Sequence, residues 1–286
     1  MKIGAHLSIA GGHYKALERV NEIGGNCLQI FSASPRGWNR ASISDEAKRL
    51  FLDTKKKLNV EDIFFHASYL VNLADDGRIG DESKKSLIAE LTVASQLGIA
   101  GSIVHIGSFK GNLPAIWDVS QDRKYSILIN NINEVLAHTP QDTFLIIENA
   151  GNKKIGQNID EIAAIIKDVN NERLKVCLDT CHLYSAGYDL STSEKMTLFF
   201  DEFEKKIGLN KLIALHINDS KDPFNSGRDR HENIGEGTLT LKPFKLLLND
   251  ERTRHLPFII ETPGFDGKGP DKKNIDILKS LSNSHE

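Results

Sequence analysis

Phe144-Leu-Ile-Ile-Glu148 is a short apolar run that ends in a carboxylate, and the same pattern recurs along the chain. Seven further runs lack the alternating polar residues of a one-sided sheet, as expected for parallel strands covered on both faces. They span residues 3–7, 27–31, 63–65, 102–106, 175–178, 212–217 and 257–261. Amphipathic helices are predicted between them, most clearly at residues 44–58, 81–97, 158–169 and 193–207.

This alternation predicts an α/β fold in which helices connect the strands of a parallel sheet. Eight strands are the number that closes a (β/α)8 TIM barrel, and a chain of 286 residues suits the typical length of about 250. We therefore expect a single domain over residues 1–286. A doubly wound open sheet is the alternative, but no Gly-x-Gly-x-x-Gly follows the first strand. The barrel places the active site at the C-terminal rim of its strands.

Composition adds weaker constraints. Hydrophobic residues make up 40% and charged residues 26%, as in ordinary globular proteins. Three cysteines, no membrane span and no signal peptide predict a cytoplasmic protein, with Cys177 and Cys181 serving as small packing residues. The net charge of −3 argues weakly against nucleic-acid binding. Bound divalent ions, however, can make a local cleft positive.

Histidines and carboxylates stand at or just beyond one predicted strand end after another. The candidates are His66, His105, Glu148, Asp179, His182, His216, Asp229, His231 and Glu261. Five of the ten histidines at one rim, joined by four carboxylates, are hard to attribute to chance. Because imidazole and carboxylate ligands without thiolate suit zinc, manganese or iron, the pattern predicts a metal site.

The number and spacing of these residues refine the prediction. Nine candidates exceed the four ligands of a single zinc ion and fit two or three ions. Asp229 and His231 face the same way in an extended segment and can share an ion. Asp179 and His182 would face oppositely there, so they serve different ions or lie on a turn. Clustered metals favour phosphodiester hydrolysis, although sugar isomerases also use two metals in such barrels.

Three ordered motifs resemble those of the endonuclease IV family (AP endonuclease family 2). Val176-Cys-Leu-Asp-Thr-Cys-His-Leu-Tyr-Ser-Ala-Gly-Tyr188 looks like its central signature. His66-Ala-Ser-Tyr-Leu-Val-Asn72 resembles its upstream motif, and His216-Ile-Asn-Asp-Ser-Lys221 with Asp229-Arg-His231 resembles its third. Matches at both ends of the chain extend the resemblance over essentially the whole sequence.

The resemblance implies three zinc ions, with manganese possible at some positions. The first would be held by His66, His105 and Glu148; the second by Glu148, Asp179, His216 and Glu261; the third by His182, Asp229 and His231. Glu148, Glu261 and Asp179 would be the catalytic carboxylates. The implied activity is base excision repair: hydrolysis 5′ to abasic sites in double-stranded DNA, leaving a 3′-hydroxyl and a 5′-deoxyribose phosphate, and removal of groups that block 3′ ends.

The resemblance also implies DNA contacts from loops around the rim, and we expect a monomer. Tyr69 is the first candidate to enter the duplex and Arg36 the second, whereas Arg230 is expected to meet a phosphate. Gly37 stands where a bulkier polar side chain is expected, which puts that contact in doubt.

Three alternatives remain open at this point. A sugar isomerase or epimerase would normally need about four ligands, and it would leave four features unexplained: Asp229, His231, His182 and the Tyr69 loop. A non-enzymatic binder of damaged DNA would not need the first two ions. A UV-damage endonuclease of the same architecture is a closer rival, against which the motifs around Tyr69 and at residues 176–188 favour endonuclease IV.

Overall fold

Eight parallel strands close into a barrel in the computed structural model, which describes residues 1–109, 123–152 and 154–282. In chain order the strands are β1 (Lys2–His6), β2 (Cys27–Phe31), β3 (Asp62–His66), β4 (Gly101–Val104), β5 (Phe144–Glu148), β6 (Leu174–Asp179), β7 (Leu212–His216), β8 (Asp219–Ser220), β9 (His231–Glu232) and β10 (Pro257–Ile260). Strands β8 and β9 form a separate antiparallel pair, and β1 closes the barrel against β10. The predicted TIM barrel is confirmed.

Helices surround the barrel, and one short helix lies at its C-terminal rim directly after β6. They are α1 (His13–Glu22), α2 (Asp45–Leu58), α3 (Arg78–Leu97), α4 (Arg123–Ala137), α5 (Ile159–Val169), α6 (Thr180–Ser185), α7 (Ser193–Lys206), α8 (Leu241–Asn249) and α9 (Lys272–Leu281), with a short 3₁₀ turn at Leu209–Lys211. Ser44, Asn158 and Thr192 cap α2, α5 and α7 because each side chain accepts a backbone N–H of the first turn. No described helix is long and apolar enough to cross a membrane.

Helix α3 begins earlier than the sequence indicates. The prediction placed its start at Asp81, whereas the helix begins at Arg78 and Asp81 lies in its first turn. The carboxylate of Asp75 accepts the backbone N–H groups of Gly77 and Gly80 and so satisfies the helix start from outside. A Cβ on Gly80 would lie 1.9 Å from the carbonyl oxygen of Asp75, which explains why a poor helix former stands there.

Apolar side chains fill the barrel below its rim. One buried layer inside the barrel comes from seven strands and consists of Cys27, Phe64, Ile103, Ile146, Cys177, Ala214 and Ile259. A larger cluster packs the outer faces of the strands against the helices. Cys177 and Cys181 are both buried free thiols, as expected of packing residues. This filled interior leaves the C-terminal rim as the place where polar side chains converge.

Helix α3 carries a buried carboxylate that is not among the nine predicted ligands. Glu90 on α3 is 4% exposed, and its carboxylate accepts hydrogen bonds from the hydroxyls of Ser32 and Ser102. Burial raises the pKa of Glu90 to about 7, although both hydroxyls and the nearby His66 oppose the shift. Glu90 therefore joins α3 to β4 and to the segment that follows β2.

Candidate metal centre

The strand ends bring the nine predicted ligands to one rim. His66, Glu148, Asp179 and His216 are the last residues of β3, β5, β6 and β7. His105 and Glu261 directly follow β4 and β10. Both strands end slightly earlier in the structure than the sequence predicts. His182 lies on α6, Asp229 lies in the loop before β9, and His231 is the first residue of β9.

Two groups of possible ligand atoms share Glu148. His66, His105 and Glu148 form the first, and Glu148, Asp179, His216 and Glu261 form the second; within each group the ligand atoms lie within 4.8 Å of one another. Oε2 of Glu148 lies 3.3 Å from Nε2 of His66 and 3.2 Å from Nε2 of His105. Its Oε1 lies 2.9 Å from Nδ1 of His216. One carboxylate thus faces both groups, which suits two adjacent ions.

The remaining candidates cluster somewhat differently from the prediction. Asp229 Oδ1 lies 2.9 Å from Nε2 of His182 and 3.4 Å from Nε2 of His231, so one carboxylate oxygen lies near both rings. The compact set of ligand atoms, however, joins His182 and Asp229 with His105, while His231 falls in a set with Asp179 and Cys181. The structure therefore places the predicted third set together but makes it looser than the other two.

Asp179 and His182 are related by a helical turn. The prediction considered an extended chain or a turn, and the structure has the latter: Asp179 caps α6, and its Oδ1 accepts the backbone N–H of His182 across 3.0 Å. The two side chains nevertheless enter different groups of ligand atoms. Asp179 and His182, three residues apart on this short helical turn, can therefore bind different ions.

Hydrogen bonds fix the ring orientation of two histidines. Nδ1 of His66 lies 2.8 Å from the carbonyl oxygen of Ala67, and Nδ1 of His182 lies 2.9 Å from that of Asn149. A carbonyl only accepts, so Nδ1 of each ring carries a proton, and a ring in its neutral form, as a metal ligand must be, keeps its lone pair on Nε2. Those free nitrogens face Glu148 and Asp229. Metal-binding histidines are held in this way, so the donor set fits divalent ions.

Gln29 is a functional candidate that sequence reasoning missed. It lies in β2 with no exposed surface, and its Oε1 lies 2.8 Å from Nε2 of His216. Its Nε2 lies 2.5 Å from Oε1 of Glu261 and 2.9 Å from Nδ1 of His6. The only available signal was one amide in the middle of an otherwise apolar strand.

Two asparagines orient Asp179 and were also missed. Asn149 accepts the backbone N–H of Asp179 through Oδ1, at 2.6 Å. Asn218 donates from Nδ2 to Oδ2 of Asp179 at 2.7 Å and accepts the backbone N–H of Glu261 at 2.8 Å. The two asparagines thus hold the backbone of Asp179 and of Glu261, and Asn218 also holds the carboxylate of Asp179.

Burial and mutual charge shift the pKa values at the rim in opposite directions. Burial alone would raise the pKa of Glu148, but His105 and His216 hold it well below its ordinary value. Burial lowers the pKa of His105 to about 3. Burial also opposes the charge of His182, yet Asp179 and Asp229 raise its pKa to about 10. The centre is therefore an anionic setting that favours cations.

Two unpaired ring nitrogens support the same conclusion. Among the described residues, Nε2 of His182 and Nε2 of His231 are buried and make no hydrogen bond. Both nonetheless lie close to Asp229. Buried polar atoms are rarely left unsatisfied. Close approach without the alignment of a hydrogen bond is the arrangement expected of ligands around a common cation.

An open cavity of about 430 Å³ lies above these groups. It is lined by His6, Phe31, His66, Tyr69, His105, His182, Asp229, His231, Glu261, Thr262, Gly269 and Pro270. Tyr69 is 66% exposed and its ring contacts Phe31 edge-on, with ring centroids 5.5 Å apart. The cavity therefore gives access to the ligand groups beside an exposed aromatic side chain.

The two predicted arginines differ in their surroundings. Arg36 is exposed. The carbonyl oxygen of the preceding residue, Pro35, accepts a hydrogen bond from the hydroxyl of Ser68, so this segment lies beside the loop of Tyr69. Arg230 instead forms a two-point ion pair with Asp222. A Cβ on Gly37 would make only an ordinary contact, 3.7 Å from Nδ2 of Asn39, so a larger side chain could be accommodated there.

Comparisons with known proteins agree with the barrel fold and identify relatives of this chain. A family model described as a xylose isomerase-like TIM barrel matches residues 17–281. The "Probable endonuclease 4" of Persephonella marina is 38% identical over 285 residues, covering 98% of this chain and 97% of that protein. The crystal structure of endonuclease IV from Thermus thermophilus superposes with a TM-score of 0.84 at 30% identity, covering 98% of both chains. A D-tagatose 3-epimerase-like protein shares the fold alone, with a TM-score of 0.67 at 19% identity, covering 98% of this chain and 97% of that one.

Proposed function

The chain belongs to the endonuclease IV family of nucleases, and on that premise we propose that it is a zinc-dependent DNA-repair enzyme that hydrolyses the phosphodiester 5′ to abasic sites. Incision would leave a 3′-hydroxyl and a 5′-deoxyribose phosphate. Removal of blocking groups from 3′ ends is the second proposed activity. The observation that carries the proposal is the pair of ligand groups that share Glu148 at the floor of an open cavity.

Three zinc ions would be held by the histidines and carboxylates at the rim. We assign His66, His105 and Glu148 to the first, Glu148, Asp179, His216 and Glu261 to the second, and His182, Asp229 and His231 to the third. Zinc at these positions would lower the pKa of water and offset the charge of the phosphodiester. The close approach of Asp229 to both His182 and His231 supports the third assignment.

The protein's own contribution is to position and desolvate these ligands. The carbonyls of Ala67 and Asn149 accept the Nδ1 protons of His66 and His182, which leaves the Nε2 lone pairs of the neutral rings for a metal ion. Glu148 is fully buried, so its charge is not screened by water. Glu148, Glu261 and Asp179 are proposed as the catalytic carboxylates because Glu148 belongs to both ligand groups and the other two belong to the second group with it.

DNA would approach across the open face of the cavity. Tyr69 lines the cavity and is exposed, and these two features support it as the side chain that would enter the duplex, which costs least energy where a base is missing. Arg36 lies in a neighbouring segment and would contact the strand beside it. Arg230 is 57% exposed in spite of its ion pair, so its outer face remains accessible to a phosphate.

A single-lesion cleavage assay tests the proposal. A labelled duplex with one abasic-site analogue is incubated with the metal-loaded chain beside an undamaged duplex, with and without a zinc chelator. We expect a cut only on the 5′ side of the lesion, with a product that a DNA polymerase extends from its 3′-hydroxyl. The chelator should abolish cutting and added zinc should restore it.

Matched variants sharpen this assay. Glu148→Gln should abolish cutting, whereas Glu172→Gln, which removes a carboxylate that is 84% exposed, should not. If the folded, metal-loaded chain leaves the abasic duplex intact, the proposal is wrong. Preferential cutting beside a UV photoproduct would point to the rival nuclease class, and turnover of small sugars to an epimerase.

A further inference from the structure

A buried carboxylate ties down both neighbours of Asp229. Asp222 is 3% exposed, and its Oδ2 and Oδ1 accept hydrogen bonds from Nε and Nη2 of Arg230 at 2.6 and 2.5 Å. Oδ1 also accepts a longer one from Nη1 of Arg228 at 3.5 Å. The residues immediately before and after Asp229 are therefore both attached to one acceptor.

The backbone of Asp229 lacks anchors of its own. Among the described residues, neither its N–H nor its carbonyl makes a hydrogen bond to another backbone group. The nearest backbone attachments on either side are Gly227 N–H to the Ser185 carbonyl, at 2.9 Å, and Lys221 N–H to the Arg230 carbonyl, at 3.0 Å. Between these two attachments, the chain at Asp229 is held in addition by the side chains of Arg228 and Arg230, which both bond to Asp222.

Asp222 is itself a fixed point. Its backbone N–H donates to Oγ of Ser220 at 3.2 Å, and its carbonyl accepts from the hydroxyls of Ser220 and Thr238 at 2.9 and 2.6 Å. Ser220 belongs to β8, which pairs with the strand of His231. Arg230 lowers the pKa of Asp222, so the carboxylate is charged and its ion pair with the guanidinium is maintained.

We propose that Asp222 is a positioning residue that aims Asp229 at His182 and His231 and thereby sets the affinity of that group for a metal ion. The inference rests on the proposed assignment of these three residues to a third zinc ion. The rigid guanidinium of an arginine binds a carboxylate through two hydrogen bonds at once. This fixes the relative orientation of the two groups, whereas a single hydrogen bond would let them rotate. Partners behind metal ligands typically account for about 10- to 100-fold in metal affinity.

Zinc binding by the full chain tests this role directly. Wild type and Asp222→Ala are equilibrated at graded free zinc concentrations, and bound zinc per chain is measured by atomic absorption. We expect the first two equivalents to bind equally in both proteins. The third should bind about 10- to 100-fold more weakly in the variant. Asp222→Asn keeps one acceptor oxygen and should show a smaller loss, which also covers the case in which alanine prevents folding.

A second ion pair in the chain offers a matched control. Asp250 accepts from Nε and Nη2 of Arg252 at 2.9 and 2.6 Å, the same two-point geometry, at the opposite end of the barrel from the rim. Asp250→Ala should leave all three zinc equivalents unchanged. If it weakens the third equivalent as much as Asp222→Ala does, the effect is general loosening and the positioning role is wrong.

Arg230→Lys separates positioning from phosphate binding. Lysine keeps the positive charge that a phosphate needs but loses the fork that Asp222 holds. We expect the third zinc equivalent to weaken in Arg230→Lys as in Asp222→Ala. Unchanged zinc affinity in either variant overturns the inference. If wild type binds three zinc ions and cuts abasic DNA in that case, the proposed function stands. A wild type that cuts abasic DNA but never binds a third ion overturns this inference and the third zinc assignment, whereas a metal-loaded wild type that does not cut abasic DNA overturns the proposed function.

Discussion

Nε2 of His216 lies 2.8 Å from Oε1 of Gln29, and the amide nitrogen of the same Gln29 lies 2.5 Å from Oε1 of Glu261. One buried amide thus connects strand β2 to two predicted metal ligands at the ends of β7 and β10. Because the amide oxygen only accepts, neutral His216 carries its proton on Nε2 and turns its bare Nδ1 towards Glu148.

Replacing this amide should weaken metal binding. Gln29→Met keeps the length of the side chain but releases both His216 and Glu261. We expect zinc to bind the second group about 10- to 100-fold more weakly, with a parallel loss of cleavage, because the ring and carboxylate orientations are no longer fixed. Competition with a chromophoric chelator measures this. The control is Gln96→Met on the exposed face of α3, and equal zinc affinity in both variants would contradict the prediction.

Removal of metal should lower thermal stability as well as activity. An ion that binds only the folded chain adds about 4 kcal/mol when its concentration is about 1,000 times its Kd. For a chain of this size, loss of that contribution lowers Tm by roughly 5–10 °C. Calorimetry with and without chelator measures the shift, and added zinc should reverse it. Magnesium should not, because it prefers oxygen ligands to imidazole. An unchanged Tm would mean that the rim binds no ion tightly.

Tyr69 should matter for recognition of the lesion and not for stability. Its side chain is 66% exposed, so Tyr69→Ala should leave Tm unchanged. Loss of an aromatic contact with a base costs about 1–3 kcal/mol, which is roughly 5- to 150-fold in Kd for an abasic duplex. Fluorescence anisotropy measures the affinity for damaged and undamaged duplexes. Leu198→Ala, which removes a 70% exposed side chain from α7, is the control. Equal affinities in the two variants would exclude this role.

Glu90 should make stability fall as pH rises. Burial raises its pKa from an ordinary 4.5 to about 7, so between these values the folded chain binds more protons than the unfolded chain. The free energy of unfolding therefore decreases with rising pH across this window, by up to about 3 kcal/mol. Glu90→Gln should remove this slope in denaturant titrations carried out with chelator present. The control variant Glu46→Gln, which changes an exposed residue of α2, should retain the slope. If the free energy of unfolding of Glu90→Gln has the same pH dependence as that of wild type, the prediction is wrong.

The sequence predicts the barrel and its polar rim well because both follow from local patterns. Buried strands are continuous apolar runs, and the residue that ends such a run in a barrel must lie at the mouth. His66, Glu148 and His216 could be placed on this basis alone. Glu261 and His105 also reach the rim, although β10 and β4 end one or more residues earlier than predicted.

The supporting contacts could not be predicted because they join distant parts of the chain. Gln29 meets Glu261 across a separation of 232 residues, and nothing near Gln29 in sequence indicates that partner. The pairing of Arg230 with Asp222 depends on how an irregular loop folds back on itself. The regrouping of His105 with His182 and Asp229 likewise depends on the path of that loop, which no strand or helix periodicity encodes.

Closure of the barrel has a consequence for the life of the protein in the cell. Strand β1 finds its second neighbour only in β10, and Glu261, the last member of the second ligand group, directly follows that strand. A chain emerging from the ribosome therefore cannot assemble the full group until its final strand is synthesised and docked. Degradation fragments that lack β10 are in the same position. The topology thus restricts an activity that breaks DNA to molecules whose barrel has closed.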